Sequence, residues 1–133
     1  MTESANRPLR IALLDSDPLQ RICSIHSVKQ LGLTWASFDR VPMLVGALRC
    51  GFAFDLVLAA LHADAAKVVE GLGRIRAVAH GRLPVIYLAH HSEMVFAYPA
   101  LPKREETGSR ELLLSPLDLG ELAAALQYVR PLK

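Results

Sequence analysis

The side chains in this chain that could do chemistry are a few acids and imidazoles. They stand where short apolar runs end. Asp15, Ser16 and Asp17 follow one run, His62 and Asp64 a second, and His90, His91 and Glu93 a third. Imidazole and carboxylate are the usual nitrogen and oxygen ligands of Zn²⁺. His62, His90 or His91 with Asp15 could therefore form a zinc site if these runs end at one edge of a sheet. The same cluster could sense pH, because imidazole titrates near neutrality. The simpler reading is solvent-exposed loop histidines, and we take it: no metal site and no cofactor are expected.

The end of the middle run is the position that matters most, and it reads Ala59-Ala60-Leu61. It offers no nucleophile, no acid and no metal ligand. Asp55 lies at the other end of that run, about 17 Å away at roughly 3.3 Å per residue of strand. Asp64 lies past it, at the cap of a following helix. Neither substitutes. Cys23 and Cys50 stand in separate helical patterns with no metal-binding spacing, as helix-face residues of a reducing compartment. Arg74, Arg76, His80 and Arg82 form a basic stretch, read as a solvated face. Paired arginines with stacking groups, which a cyclic dinucleotide would need, are not evident. No glycine-rich phosphate loop follows the first run, which disfavours a nucleotide site. Trp35 reads as a core or sheet-edge residue.

Five strands and five helices must position these groups. Arg10–Leu14 is a first apolar strand. Asp17 caps a helix with Pro18 at its first position. Leu19, Ile22, Ile25, His26 and Leu31 mark one side of it, and Gly32 ends it. Thr34–Phe38 is β-branched and aromatic, a second strand. Val41–Cys50 is a short helix closed by Gly51. Phe54–Leu61 lacks alternation and is short, which suits a strand buried on both faces of a parallel sheet. Val68, Val69, Leu72, Ile75 and Val78 mark a third helix. Gly71 and Gly73 cost it about 1 kcal/mol each, so fraying is expected. Pro84–Leu88 is the fourth strand.

His91–Tyr98 supplies one or two helical turns, and Pro99 and Pro102 forbid a regular continuation. Lys103–Arg110 reads as a charged loop. Glu111–Leu114 is a fifth strand, Ser115-Pro116 a turn, and Asp118 caps a last helix bearing Leu119, Leu122, Ala123, Leu126 and Val129. Strands and helices alternate throughout. That argues for an α/β fold, a doubly wound parallel five-stranded sheet between two helix layers with right-handed crossovers.

The 133 residues fit one domain over 1–133, with 1–8 as an N-terminal tail. Hydrophobic residues make up 52 %, yet no run spans a bilayer. The polar start carries no signal-peptide core, so a cytoplasmic location is the default. A net charge of +2 gives no argument for nucleic acid.

In order and spacing, the elements resemble the receiver domain of bacterial response regulators over nearly the whole chain. Leu13-Leu14-Asp15-Ser16-Asp17-Pro18 resembles that family's acidic first loop. Phe54-Asp55-Leu56-Val57-Leu58 resembles its phosphoacceptor strand. Pro84–Ala89 resembles its fourth strand, and Leu114-Ser115-Pro116 its lysine-proline turn. The resemblance implies the (βα)₅ receiver or flavodoxin-like fold, with an irregular fourth helix.

The family's active residues do not carry over. Its phosphoacceptor aspartate is matched by Ala60, and a methyl group cannot attack a phosphoryl donor. Its magnesium is held chiefly by adjacent first-loop acids. Asp15 matches one, and Ser16 stands where the other belongs. Mg²⁺ requires near-octahedral oxygen ligation and should bind poorly. Ala89 replaces the switch hydroxyl. Ser115 replaces the lysine that faces the transferring phosphoryl group, removing a fixed cation. A pseudo-receiver is therefore expected: a non-enzymatic regulatory domain in bacterial signalling or transcriptional control, independent of aspartyl phosphorylation.

Its partner would be another protein or a second copy, with no nucleic acid or membrane contact of its own. It could stand alone or precede a DNA-binding or other effector domain in a longer parent chain. In the family, the face of the fourth helix, fifth strand and fifth helix commonly mediates dimerisation. Here Val95, Phe96, Tyr98, Leu101 and Leu113 would line it. The alternatives are a phosphoacceptor using an atypical residue, and a metal or small-ligand sensor on the His62, His90 and His91 edge.

Overall fold

The computed structural model describes residues 8–78, 83–101, 111–115 and 117–129. The expected N-terminal tail (Pro8 aside), the loop 103–110 and the Ser115-Pro116 turn at Pro116 lie outside them. So do the side chains of Tyr98, Arg76, His80 and Arg82.

Five strands form one parallel sheet in the order β2-β1-β3-β4-β5. They are β1 (Arg10–Leu14), β2 (Thr34–Phe38), β3 (Leu56–Ala60), β4 (Val85–His90) and β5 (Glu111–Ser115). Among the described residues five α-helices alternate with them: α1 (Pro18–Gln30), α2 (Val41–Arg49), α3 (Ala65–Val78), α4 (Met94–Ala100) and α5 (Leu119–Val129). A 3₁₀ turn, His91–Glu93, leads into α4. No helix among the described residues is long and apolar enough to cross a membrane.

The central strand is buried throughout, as its unbroken apolar run predicts. Its side chains divide by parity. Leu56 and Leu58 join Ile11, Leu13, Ile86 and Leu88 under Val28 of α1 and Leu122 of α5. Val57 and Ala59 face the other way, with Leu44 of α2, Leu72 and Ile75 of α3 and Ala97 of α4. The result is three layers, with both sheet faces covered.

Local signals place the helix ends. The Asp17 carboxylate accepts from the Leu19 N–H at 3.0 Å and Asp118 from the Glu121 N–H at 2.9 Å, capping α1 and α5 as expected. Gly32 and Gly51, at φ +74° and +98°, carry the chain out of α1 and α2 in the left-handed region that glycine tolerates.

Three expectations are corrected. α1 does not bury Leu19, Ile22 and His26. It presents Ser24, Ser27 and Val28 to the sheet, with Ile25 and Leu31 half-buried, and leaves Leu19 and Ile22 in solvent. Small serines let the helix approach the strands closely, and three-four spacing alone does not say which stripe turns inward. Next, α3 runs unbroken through Gly71 and Gly73. A methyl built on Gly71 would lie 2.8 Å from Cγ1 of Val41, so its absence lets α2 and α3 touch. Finally, α4 continues through Pro99 to Ala100, anchored by Met94 and Ala97 against the core.

Candidate functional site

The register brings the expected pocket residues to one edge. Leu14 pairs with Ala59, Ala60 with Leu88, Ala89 with Leu114 and His90 with Ser115. Asp15, Ala60, Ala89 and Ser115 thus stand at the carboxyl ends of four adjacent strands. In doubly wound sheets this edge, where strand order reverses between β1 and β3, is where ligands and chemistry collect. Ala60 and Ala89 are buried there and contribute methyl groups only. Ser16 is exposed beside them.

Asp15 is the buried acid of this edge, 4 % exposed, and its oxygens are all engaged. Oδ1 accepts from the Asp17 N–H at 2.9 Å and contacts Nε2 of His62 at 2.8 Å. Oδ2 accepts from the Gln20 amide at 3.0 Å. The Asp15 carbonyl accepts from the Arg21 guanidinium at 2.6 Å. The first turn of α1 folds over the loop and closes the set.

His62 lies two residues beyond the β3 terminus, and its other nitrogen is also taken. Nδ1 is 2.8 Å from Oε1 of Glu93, the last residue of the 3₁₀ turn. The ring is thus held between two carboxylates from different parts of the chain. Burial lowers the His62 pKa. The hydrogen bonds to Asp15 and Glu93, reinforced by the two negative charges, outweigh that effect and raise it above the usual imidazole value.

The expectation of solvent-exposed loop histidines is corrected for His62, whose side chain is 15 % exposed because it packs against Asp15 and Glu93. His90 and His91 do not join them: Nδ1 of His90 accepts from the Ser92 N–H at 3.1 Å and pairs with its hydroxyl at 2.8 Å, capping the turn, and His91 is exposed. No cluster of three or more His, Cys, Asp or Glu side chains suited to a metal occurs among the described residues. The donor set does not fit magnesium either. Both oxygens of Asp15 are already engaged by Asp17, Gln20 and His62, and Ala60 adds no oxygen.

The role of Glu93 was missed. Its only signal was position, since it shares an edge with His62 once β3 and β4 pair. Also missed was a groove of about 760 Å³ between α2 and α3, reaching Asp15 and Ala60 at one end. Arg74 stands at its rim, exposed and 3.6 Å from Glu70, a solvated i,i+4 pair.

The expected partner face is partly assembled. Val95 and Phe96 of α4 are exposed, at 71 % and 48 %. Leu101 is half-buried and packs on the core. Leu113 is a correction: it is 9 % exposed and packs with the α1 and α5 layer, so it cannot contribute. Its neighbour Leu114 is 48 % exposed instead. Adjacent strand residues face opposite ways: Leu112 and Leu114 share the other face, where Leu112 packs on the core and Leu114 lies open. Trp35 is half-buried on edge strand β2, with the Lys29 ammonium 5.9 Å from its ring centroid. Cys23 and Cys50 are both exposed free thiols.

No protein-family model and no curated protein matches this chain. Solved structures do. The receiver domain of a sensor histidine kinase from Pseudomonas aeruginosa PAO1, crystallised with magnesium in its active-site cleft, is 17 % identical. The match covers 93 % of this chain and 98 % of that one, at TM-score 0.69. A response regulator receiver protein from Burkholderia phymatum is 16 % identical over 93 % and 95 % of the two chains, at TM-score 0.72. Full-length FixJ from B. japonicum is 20 % identical over 92 % of this chain and 60 % of its own, at TM-score 0.68. With the strand order, the parallel register and the acidic loop after β1 already in place, these likenesses identify the fold as that of response-regulator receiver domains.

Proposed function

We propose that this domain is a regulatory module of receiver fold that works by contact with another protein or a second copy of itself, without accepting a phosphoryl group on aspartate. The observation that carries this reading is the state of the pocket. Asp15 has its oxygens bonded to His62, Asp17 and Gln20, and the β3 terminus offers the Ala60 methyl. Phosphoryl transfer needs a nucleophile and stabilisation of the charge that develops on the transferred group. Ala60 supplies no nucleophile.

The side chains available for contact include the exposed apolar Val95 and Phe96 of α4 and Leu114 of the edge strand β5. Exposed apolar groups favour protein association where they gather. FixJ is longer than the part this chain matches, which supports a module able to work beside an effector domain.

The test is incubation with acetyl phosphate and excess Mg²⁺, followed by intact-mass spectrometry. The expected spectrum shows no added phosphoryl group. A stable adduct, mapped to any side chain, overturns the reading in favour of a phosphoacceptor with an atypical residue.

A further inference from the structure

We propose that protonated His62 is a built-in cation of this domain, joining Asp15 at the end of β1 to Glu93 at the head of α4. The proposal stands apart from the phosphorylation reading, because it concerns the contacts of one ring and not the uptake of phosphate.

The hydrogen-bond inventory carries the argument. An ionised carboxylate only accepts, and neutral imidazole donates from one nitrogen only. Here both ring nitrogens lie 2.8 Å from carboxylate oxygens. The two contacts are satisfied together when both nitrogens carry hydrogen, which makes the ring a cation. The surroundings strengthen it, since Asp15 is nearly buried and the His62 side chain is 15 % exposed. The charged groups around the ring are the two carboxylates, with Arg21 directed at the Asp15 carbonyl.

A metal at Asp15 would compete with this arrangement. The two ring nitrogens, separated by one carbon, direct their hydrogens along diverging lines to the two acids. Asp15 Oδ1 is shared with the Asp17 N–H and Oδ2 with Gln20. The imidazolium also has a mechanical consequence. Glu93 immediately precedes Met94, the first residue of α4. The clamp therefore fixes the helix that carries Val95 and Phe96 to the ends of β1 and β3.

Long-range ¹H–¹⁵N correlation spectra of the labelled full chain at pH 7 test this directly, because imidazolium and the two neutral tautomers give distinct ring-nitrogen shifts. The expected result is a doubly protonated His62 whose shifts do not move when Mg²⁺ is added in large excess. In Glu93→Gln, where the fold is kept, the ring should pass partly to a neutral tautomer. A neutral ring in the native protein, Mg²⁺-dependent displacement of the His62 signals, or a Glu93→Gln spectrum identical to the native one each overturns the proposal. Phosphate uptake plays no part in these readouts.

Discussion

Cutting the clamp at its two ends should produce unequal losses. His62→Ala removes both contacts and leaves the buried Asp15 carboxylate with the Asp17 N–H and the Gln20 amide. A hydrogen bond to a charged group contributes about 1.5–3 kcal/mol, and breaking a buried pair costs about 3–5 kcal/mol. Asp15 keeps two partners, so about 3 kcal/mol is expected for His62→Ala. Glu93→Ala removes one contact at the outer end, where the acid is 26 % exposed, and should cost about 1 kcal/mol. At roughly 2.1 cal/mol/K per residue, the 133 residues give an unfolding entropy near 280 cal/mol/K. The melting temperature should then fall by about 10 °C for His62→Ala and about 4 °C for Glu93→Ala. The sign of the pH dependence follows from the raised pKa. The contribution is full below the unfolded imidazole value of about 6.5 and is lost as pH rises through the folded value. Circular-dichroism melts from pH 6 upward should show the gap between native protein and His62→Ala narrowing with pH. In the double variant, Glu93→Ala should cost almost nothing more. A gap that stays constant or widens with pH, or equal losses from Glu93→Ala with and without His62, refutes the reasoning.

The α2–α3 contact makes a paired test. Gly71→Ala gains about 1 kcal/mol of helix propensity but places a methyl 2.8 Å from Val41 Cγ1, and overpacking costs about 1–3 kcal/mol. A net loss of about 1 kcal/mol in urea unfolding is expected, whereas Gly73→Ala, with nothing within 4 Å of its new methyl, should stabilise by up to about 1 kcal/mol. On the partner face, Val95→Asp should leave stability within about 0.5 kcal/mol and weaken concentration-dependent self-association seen by light scattering. Unchanged association of a natively stable Val95→Asp protein rules out this face as the self-contact.

The elements were legible because each rests on a local cause. β3 is an apolar run that only a doubly covered strand can accommodate. Asp17 and Asp118 are caps with a defined acceptor role, and Gly32 and Gly51 end helices by a backbone freedom that other residues lack. Which way an element faces is a different matter. Leu19 and Ile22 satisfy helical spacing as well as Val28 does, yet Ser24 and Ser27 are the residues that close approach of α1 to the sheet selects. Leu113 and Leu114 are chemically identical and adjacent. Only the packing of α5 onto β5 decides that the first is core and the second surface.

The site divides along the same line. That Ala60, Ala89 and Ser115 bring no acid or amine to this edge could be read from residue types alone, once the strands were aligned. The contact of His62 with Glu93 could not, because it spans 31 positions and depends on how the ring is turned. In the proposed clamp, the acids that meet the ring are Asp15, 4 % exposed, and Glu93, 26 % exposed. An imidazolium between them is bonded into the chain, so it would tie the head of α4 to the end of β1 without a diffusible ion.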